Sequence, residues 1–245
     1  MQIIKGKNYE DTSQKAAQFI LKRIHENNRL TLGLATGGTP RRTYEYLIKD
    51  YENNHTSYQT VSSFNLDEYI GLAPSDPNSY HYYMYKQLFS KIDIPKDQIF
   101  LPNGLATDLA NECLSYERKI KEYGGIDLQL LGIGENGHIG FNEPGTPFNQ
   151  RTHVVSLTES TIEANARFFD SIDEVPRKAI TVGIATILKS KEILLLVTGK
   201  SKQAALKRLI ESNEVSEDFP ASALRKHENV TIIADEEALS KLESS

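Results

Sequence analysis

The sequence predicts an α/β protein built on a mostly parallel sheet with helices on both faces. Three observations carry that reading. Short apolar runs alternate along the whole chain with segments whose apolar residues recur at helical spacing. Several of the apolar runs end in glycine turns or paired acids, which is how a parallel sheet presents a binding edge at the C-terminal ends of its strands. No internal repeat, low-complexity tract or linker interrupts the pattern, so residues 1–245 are expected to form one domain.

Ile3 and Ile4 begin a short strand. Residues 13–26 read as a helix because Ala16, Ala17, Phe19, Ile20 and Ile24 form one apolar stripe, and Asn27 and Asn28 end it. Residues 30–35 alternate as a strand and run into Thr36-Gly-Gly-Thr-Pro40, where Thr39 suits an N-cap and Pro40 a first helical position before a helix over 41–51. Residues 61–65 form a third strand that delivers Asp67 and Glu68. An aromatic-rich helix follows over 79–92, and another over 108–123 closes on Gly124-Gly125. Residues 154–157 read as extended, 159–169 as a helix carrying Arg167, and 179–184 as a strand with a short helix after it. Residues 193–197 are the most apolar strand, leading to Thr198-Gly-Lys-Ser-Lys202 and a helix to about 210. Residues 230–234 are the last strand, before a polar helical tail from Glu236.

The central stretch is Leu130-Leu-Gly-Ile-Gly-Glu-Asn-Gly-His-Ile-Gly-Phe-Asn-Glu-Pro-Gly145. It starts apolar and breaks into glycines, placing His138 and Glu143 in a segment too rich in Gly and Pro for a helix. His138 is a candidate acid or base near neutral pH. Gly132-Ile-Gly-Glu-Asn-Gly137 matches the spacing of a dinucleotide loop, but Gly140, Pro144 and Gly145 follow too soon for the helix such a loop requires.

Composition narrows the function. Hydrophobic residues make up 39% and charged residues 25%, as in an ordinary globular protein. Net charge is −5 and no basic stripe is present, which gives a nucleic-acid surface no electrostatic support. Cys113 is the only cysteine, which excludes an internal disulfide and a cysteine-rich zinc site. Asp67, His81, His138 and Glu143 match no metal-ligand spacing, and no Gly-x-Ser-x-Gly elbow is present. The chain opens without a signal peptide, and no apolar run is long enough to span a bilayer. A cytoplasmic protein with no membrane partner is expected, and Asn54-His-Thr and Asn229-Val-Thr read as chance matches to the glycosylation pattern.

Two constellations remain, each with a plain structural reading beside it. Residues 36–40 offer free backbone N–H groups at a helix start, which favours phosphate, although an ordinary strand-to-helix turn uses the same residues. Lys202 could reach a phosphate, where a lone lysine is more often a solvated charge. Asp67 and Glu68 could supply a carboxylate base, with one of the two structural in either case; apolar neighbours Leu66, Tyr69 and Ile70 favour partial burial and a raised pKa. The polar segment 158–176, lying between two strands, suits a lid.

Taken together, Leu-Ala-Thr-Gly-Gly-Thr-Pro (34–40), Phe-Asn-Leu-Asp-Glu-Tyr (64–69), Gly-Ile-Gly-Glu-Asn-Gly-His-Ile-Gly-Phe-Asn-Glu-Pro (132–144), Asn-Ala-Arg-Phe-Phe (165–169) and Ile180-Thr-Val-Gly183 resemble the glucosamine-6-phosphate deaminase family, in the same order and over nearly the whole chain. The resemblance implies a Rossmann-like three-layer α/β/α sandwich and the conversion of D-glucosamine 6-phosphate and water to D-fructose 6-phosphate and ammonia, without cofactor or metal. It implies that Asp67 moves a proton from C2 to C1, that His138 opens the sugar ring, and that Glu143 orients His138. It gives the phosphate to Thr39, Arg167, Lys202 and the N–H groups of Gly37 and Gly38. Many family members carry Asp where this chain has Asn136, so an ionisable relay through that position is excluded, while Asn136 can still orient His138. The activator-controlled hexameric members carry basic residues after the Glu-Pro segment and a longer tail; here residues 151–155 read Arg-Thr-His-Val-Val and the chain ends at Ser245, which predicts hyperbolic kinetics. The sequence leaves the choice between monomer and homo-oligomer open.

Three other readings compete. A 6-phosphogluconolactonase would share the histidine and the phosphate grip but need no C2 base, so Asp67 decides. A sugar-phosphate sensor would carry a DNA-binding module, and none precedes the first strand. A weak paralogue would act on another amino-sugar phosphate.

Overall fold

The computed structural model describes residues 1–167 and 169–242. Phe168, within the 165–169 segment singled out above, and residues 243–245 of the polar tail lie outside the described residues. The strands are β1 (Gln2–Gly6), β2 (Thr31–Leu34), β3 (Ser62–Asn65), β4 (Asp67–Tyr69), β5 (Ile99–Phe100), β6 (Leu128–Leu131), β7 (His153–Ser156), β8 (Lys178–Thr181), β9 (Glu192–Val197) and β10 (Val230–Asp235). The helices are α1 (Tyr9–Glu26), α2 (Gly38–Asn54), α3 (Tyr80–Gln87), α4 (Leu109–Glu122), α5 (Glu159–Ala166), α6 (Ile184–Ile187), α7 (Gln203–Glu211) and α8 (Glu236–Leu239).

Seven strands form one sheet in the order β1-β10-β9-β6-β2-β3-β5, with every pairing parallel. Alternation along β9 builds the two layers around it. Ile193, Leu195 and Val197 pack on one face with Tyr116 and Ile120 of α4 and Leu206 and Leu209 of α7. Leu194 and Leu196 pack on the other with Ala17 and Ile20 of α1 and Tyr44 and Leu47 of α2. This is the expected three-layer arrangement. Arg23 of α1 reaches across to the nearly buried Glu192 at the start of β9 and pins that helix to the sheet.

Several boundaries differ from the sequence reading: the helix read over 79–92 ends at Gln87, the one over 159–169 at Ala166 and the strand over 179–184 at Thr181, and two helix starts differ because of their caps. α1 begins at Tyr9 because Asn8 caps it, its side chain accepting the N–H of Asp11 at 3.0 Å. α2 begins at Gly38, so neither Thr39 nor Pro40 stands where the pattern put it; the cap position is Gly37, at φ 102°, with no side-chain capping bond. A glycine open to positive φ replaces the polar cap.

A second sheet was not foreseen. β4, β8 and β7 pair antiparallel in that order and pack Tyr69, Phe141, Leu157 and Ala179 against Ile162 of α5. Asp67 and Glu68 therefore lie in a strand and not in a loop. No helix among the described residues is long and apolar enough to cross a membrane.

Candidate active site

The C-terminal ends of β2, β3, β6 and β9 meet at one edge of the main sheet and deliver the glycine turn, Asp67, the 132–145 loop and the turn bearing Lys202. β4 follows β3 after a single residue and crosses to the small sheet. Consecutive strand residues face opposite ways, which separates the roles of its two acids. Glu68, 1% exposed, accepts the backbone N–H groups of Tyr69, Tyr80 and His81 and lies 2.7 Å from His81 Nδ1, so it caps α3. Asp67, 7% exposed, accepts no hydrogen bond among the described residues. Burial, together with the charge of Glu68, pushes its carboxyl up to about 8. A desolvated carboxylate without donors is a strong base once ionised.

The His138 loop is tied to the same point. Thr181 stands opposite Asp67 in the small sheet, and its hydroxyl accepts the N–H of Phe141 at 3.1 Å. A Cβ placed on Gly140 would sit 3.6 Å from Asp67 Oδ2, so the loop backbone lies directly against the Asp67 carboxylate. No helix follows this glycine run, as its sequence implies. It turns on itself instead, with Gly134 N–H donating to His138 O at 2.9 Å. Gly134 is required there, because a Cβ on it would come within 2.4 Å of the His138 ring.

His138 Nδ1 lies 3.5 Å from Glu143 Oε2, a charge contact rather than a strong hydrogen bond. Asn136 joins the two residues: its side-chain oxygen accepts the His138 N–H at 3.1 Å and its Nδ2 donates to Glu143 Oε2 at 2.8 Å. Thr161 donates to Glu143 Oε1, and Thr158 does so at 3.3 Å. Burial opposes ionisation of Glu143, but the adjacent His138 imidazole and the bonds from Thr161 and Asn136 outweigh it and hold the carboxyl down at about 2. Sequence reasoning gave no role to Thr158, Thr161 or Thr181; Thr158 left a signal as the residue before a helical run, and Thr181 as part of the Ile180–Gly183 segment of the family resemblance.

Gly37, Gly38 and Thr39, delivered by β2 between β6 and β3, form the first turn of α2. Lys202 ends the short turn before α7, where Gly199 at φ 88° is held by the Asp235 carboxylate. Burial lowers the Lys202 pKa, the charge of Arg167 at the end of α5 adds to that, and Glu135 opposes it. Lys202 is thus a partly buried cation sharing its surroundings with Arg167, not a solvated charge. The arrangement suits a dianion on the α2 side and proton transfer on the Asp67–His138 side. Among the described residues, no three His, Cys, Asp or Glu side chains cluster as metal ligands.

Residues 7–233 match the model of a family described as glucosamine-6-phosphate isomerases/6-phosphogluconolactonase. The glucosamine-6-phosphate deaminase of Halalkalibacterium halodurans is 59% identical over 242 residues, covering 99% of this chain and 98% of that one. Glucosamine-6-phosphate deaminase 1 of Bacillus subtilis is 54% identical over 240 residues, covering 98% and 99%. Among solved structures, a monomeric glucosamine-6-phosphate deaminase superposes with a TM-score of 0.96 at 53% identity, covering 98% of this chain and 99% of that chain. A 6-phosphogluconolactonase from Trypanosoma brucei shares the fold at a TM-score of 0.79 and 20% identity, over 99% and 98% of the two chains.

Proposed function

The chain belongs to the glucosamine-6-phosphate isomerase and 6-phosphogluconolactonase family, and on that premise we propose that the edge joining Asp67, His138 and Lys202 is the active site of a glucosamine-6-phosphate deaminase. It converts D-glucosamine 6-phosphate and water to D-fructose 6-phosphate and ammonia. His138 carries the proton from the anomeric hydroxyl to the ring oxygen, which opens the pyranose and frees the aldehyde. Asp67 takes the C2 proton as O1 gains one, giving an enolamine, and returning a proton at C1 leaves a hydroxyl on C1 and an iminium at C2. Water adds there and ammonia leaves. Glu143 and Asn136 hold the imidazole. Thr39, the N–H groups of Gly37 and Gly38, Lys202 and Arg167 bind the phosphate through charge-assisted bonds. Residues 158–176 form a lid whose first turn rests on Glu143.

The observation that carries this reading is Asp67: buried, without donors, and against the loop that bears His138. A lactonase has no use for such a base. The raised pKa fits the substrate, whose ammonium group supplies a positive charge that ionises Asp67 on binding.

The test is release of ammonia and fructose 6-phosphate from glucosamine 6-phosphate, with Asp67→Asn beside the parent. Loss of the base lowers kcat by about 10³-fold or more. Equal turnover in both enzymes removes Asp67 from its role. Hydrolysis of 6-phosphogluconolactone without deamination moves the chain to the other branch of the family.

A further inference from the structure

Three tyrosines surround the α2 turn, and none of them has a place in the chemistry above. Tyr83 of α3 donates its hydroxyl to the carbonyl of Gly37 at 2.6 Å. Tyr9, the first residue of α1, donates to the carbonyl of Gly38 at 2.8 Å and accepts the N–H of Arg42 at 3.2 Å. Tyr44 of α2 donates to the carbonyl of Ala35. Three helices thus place one hydroxyl each on three carbonyls of a four-residue stretch.

Peptide planarity turns these bonds into an orientation. In a trans peptide the C=O and N–H of one unit point in opposite directions. The Gly37 carbonyl shares its plane with the Gly38 N–H, the Gly38 carbonyl with the Thr39 N–H, and the Ala35 carbonyl with the Thr36 N–H. Fixing the three carbonyls therefore fixes three N–H groups, each pointing away from the tyrosine that holds its own plane. No backbone carbonyl among the described residues takes up the N–H groups of Thr36 and Gly37, and those of Gly38 and Thr39 open the helix. A hydroxyl donating to a C=O also polarises the attached N–H and strengthens it as a donor. The restraint matters most at Gly37, whose backbone, at φ 102°, has no side chain to limit it.

Tyr9 is itself held in place. Beside it on α1, Glu10 takes the Arg42 guanidinium through two bonds of 2.7 Å and also receives the Tyr46 hydroxyl, which straps the first turn of α1 to that of α2.

We propose that Tyr9, Tyr44 and Tyr83 are positioning residues, a hydroxyl clamp that aims the N–H groups of Thr36, Gly38 and Thr39 at the substrate phosphate. The inference rests on the phosphate assignment above and adds the device that shapes that site before substrate arrives. Its contribution falls on phosphate affinity and not on proton transfer.

Tyr9→Phe, Tyr83→Phe and the double variant test it, with Lys202→Met as the control for the site. Each lost hydroxyl raises KM for glucosamine 6-phosphate and Ki for inorganic phosphate about 3- to 10-fold, with the larger change in the double variant. kcat changes less than KM, and Ki for unphosphorylated glucosamine stays within twofold of the parent. A general loosening of the fold would raise both inhibition constants together, and that result overturns the clamp. Phosphate Ki rising in Lys202→Met alone also overturns it while the phosphate site stands. Phosphate Ki unchanged in every variant removes the phosphate site and the clamp together.

Discussion

At the scale of single residues, the site separates two carboxylates by their donors. Glu143 accepts from Asn136, Thr161 and Thr158 and stays ionised, whereas Asp67 accepts from none of the described residues and is held protonated up to about 8. The first therefore suits a fixed negative charge beside His138, the second a base that must gain and lose a proton. Replacing Glu143 with Gln keeps the shape but turns one of its two acceptors into a donor, which then faces either the Asn136 amide or the Thr161 hydroxyl. The expected loss in kcat is about 10²-fold, with KM changed less, because Glu143 is not among the residues proposed to hold the phosphate. Steady-state kinetics decide this, and a variant with parental kcat would show that His138 works without its carboxylate. The identities of Asp67, His138 and Glu143 were legible in the sequence as chemistry-bearing residues next to strand ends. The donors that distinguish the two acids were not, because Thr161 and Thr181 come from elements whose meeting with the loop only the tertiary fold creates.

At the scale of elements, β4 and α5 do what no local pattern announces. Three residues are too few for a strand to show its period, so Asp67–Tyr69 read as a turn, although the apolar neighbours did indicate burial. Pairing with β8 supplies the alternation that turns Asp67 to the site and Glu68 to the start of α3. The two-residue β5 was invisible for the same reason, while the longer β9 and β10 were legible from their apolar runs. α5 adds a latch, since both threonines of its first turn bond to Glu143. If residues 158–176 close over substrate, the latch couples the position of the lid to the partner of His138. Thr161→Val keeps the volume and removes one hydroxyl. A loss of about 1 kcal/mol in the latch should lower kcat/KM about 5- to 10-fold and speed proteolytic cleavage within 158–176. Unchanged kinetics and unchanged cleavage would mean that α5 is held by Ile162 and its apolar neighbours alone.

At the scale of the whole molecule, the alternation of strands and helices was sufficient to give a layered parallel sheet, and the strand order was not, because crossovers leave no mark in a single sequence. The order places β6 between β9 and β2 and so gathers four loops at one edge, at a cost in stability that depends on pH. Stability rises with pH wherever the unfolded chain binds more protons than the folded one. Asp67 has its ordinary value of 3.8 when unfolded and about 8 when folded, so between these values the folded state holds the extra proton and stability falls as pH rises. Glu143 runs the other way: its folded value is about 2 against 4.5, so its contribution is complete above pH 4.5 and is lost as pH falls toward 2. Thermal melts of Asp67→Asn should therefore lie above the parent at pH 8.5, and the gain should shrink as pH falls and vanish below about pH 3, where Asp67 is protonated in both states. Glu143→Gln should lie below the parent at neutral pH and converge on it toward pH 2. Adding glucosamine 6-phosphate should narrow the Asp67→Asn gain at pH 8.5, because the bound ammonium relieves the same buried charge. A gain independent of pH would assign the effect of Asp67→Asn to packing. It would leave the base without the perturbed ionisation on which its role depends.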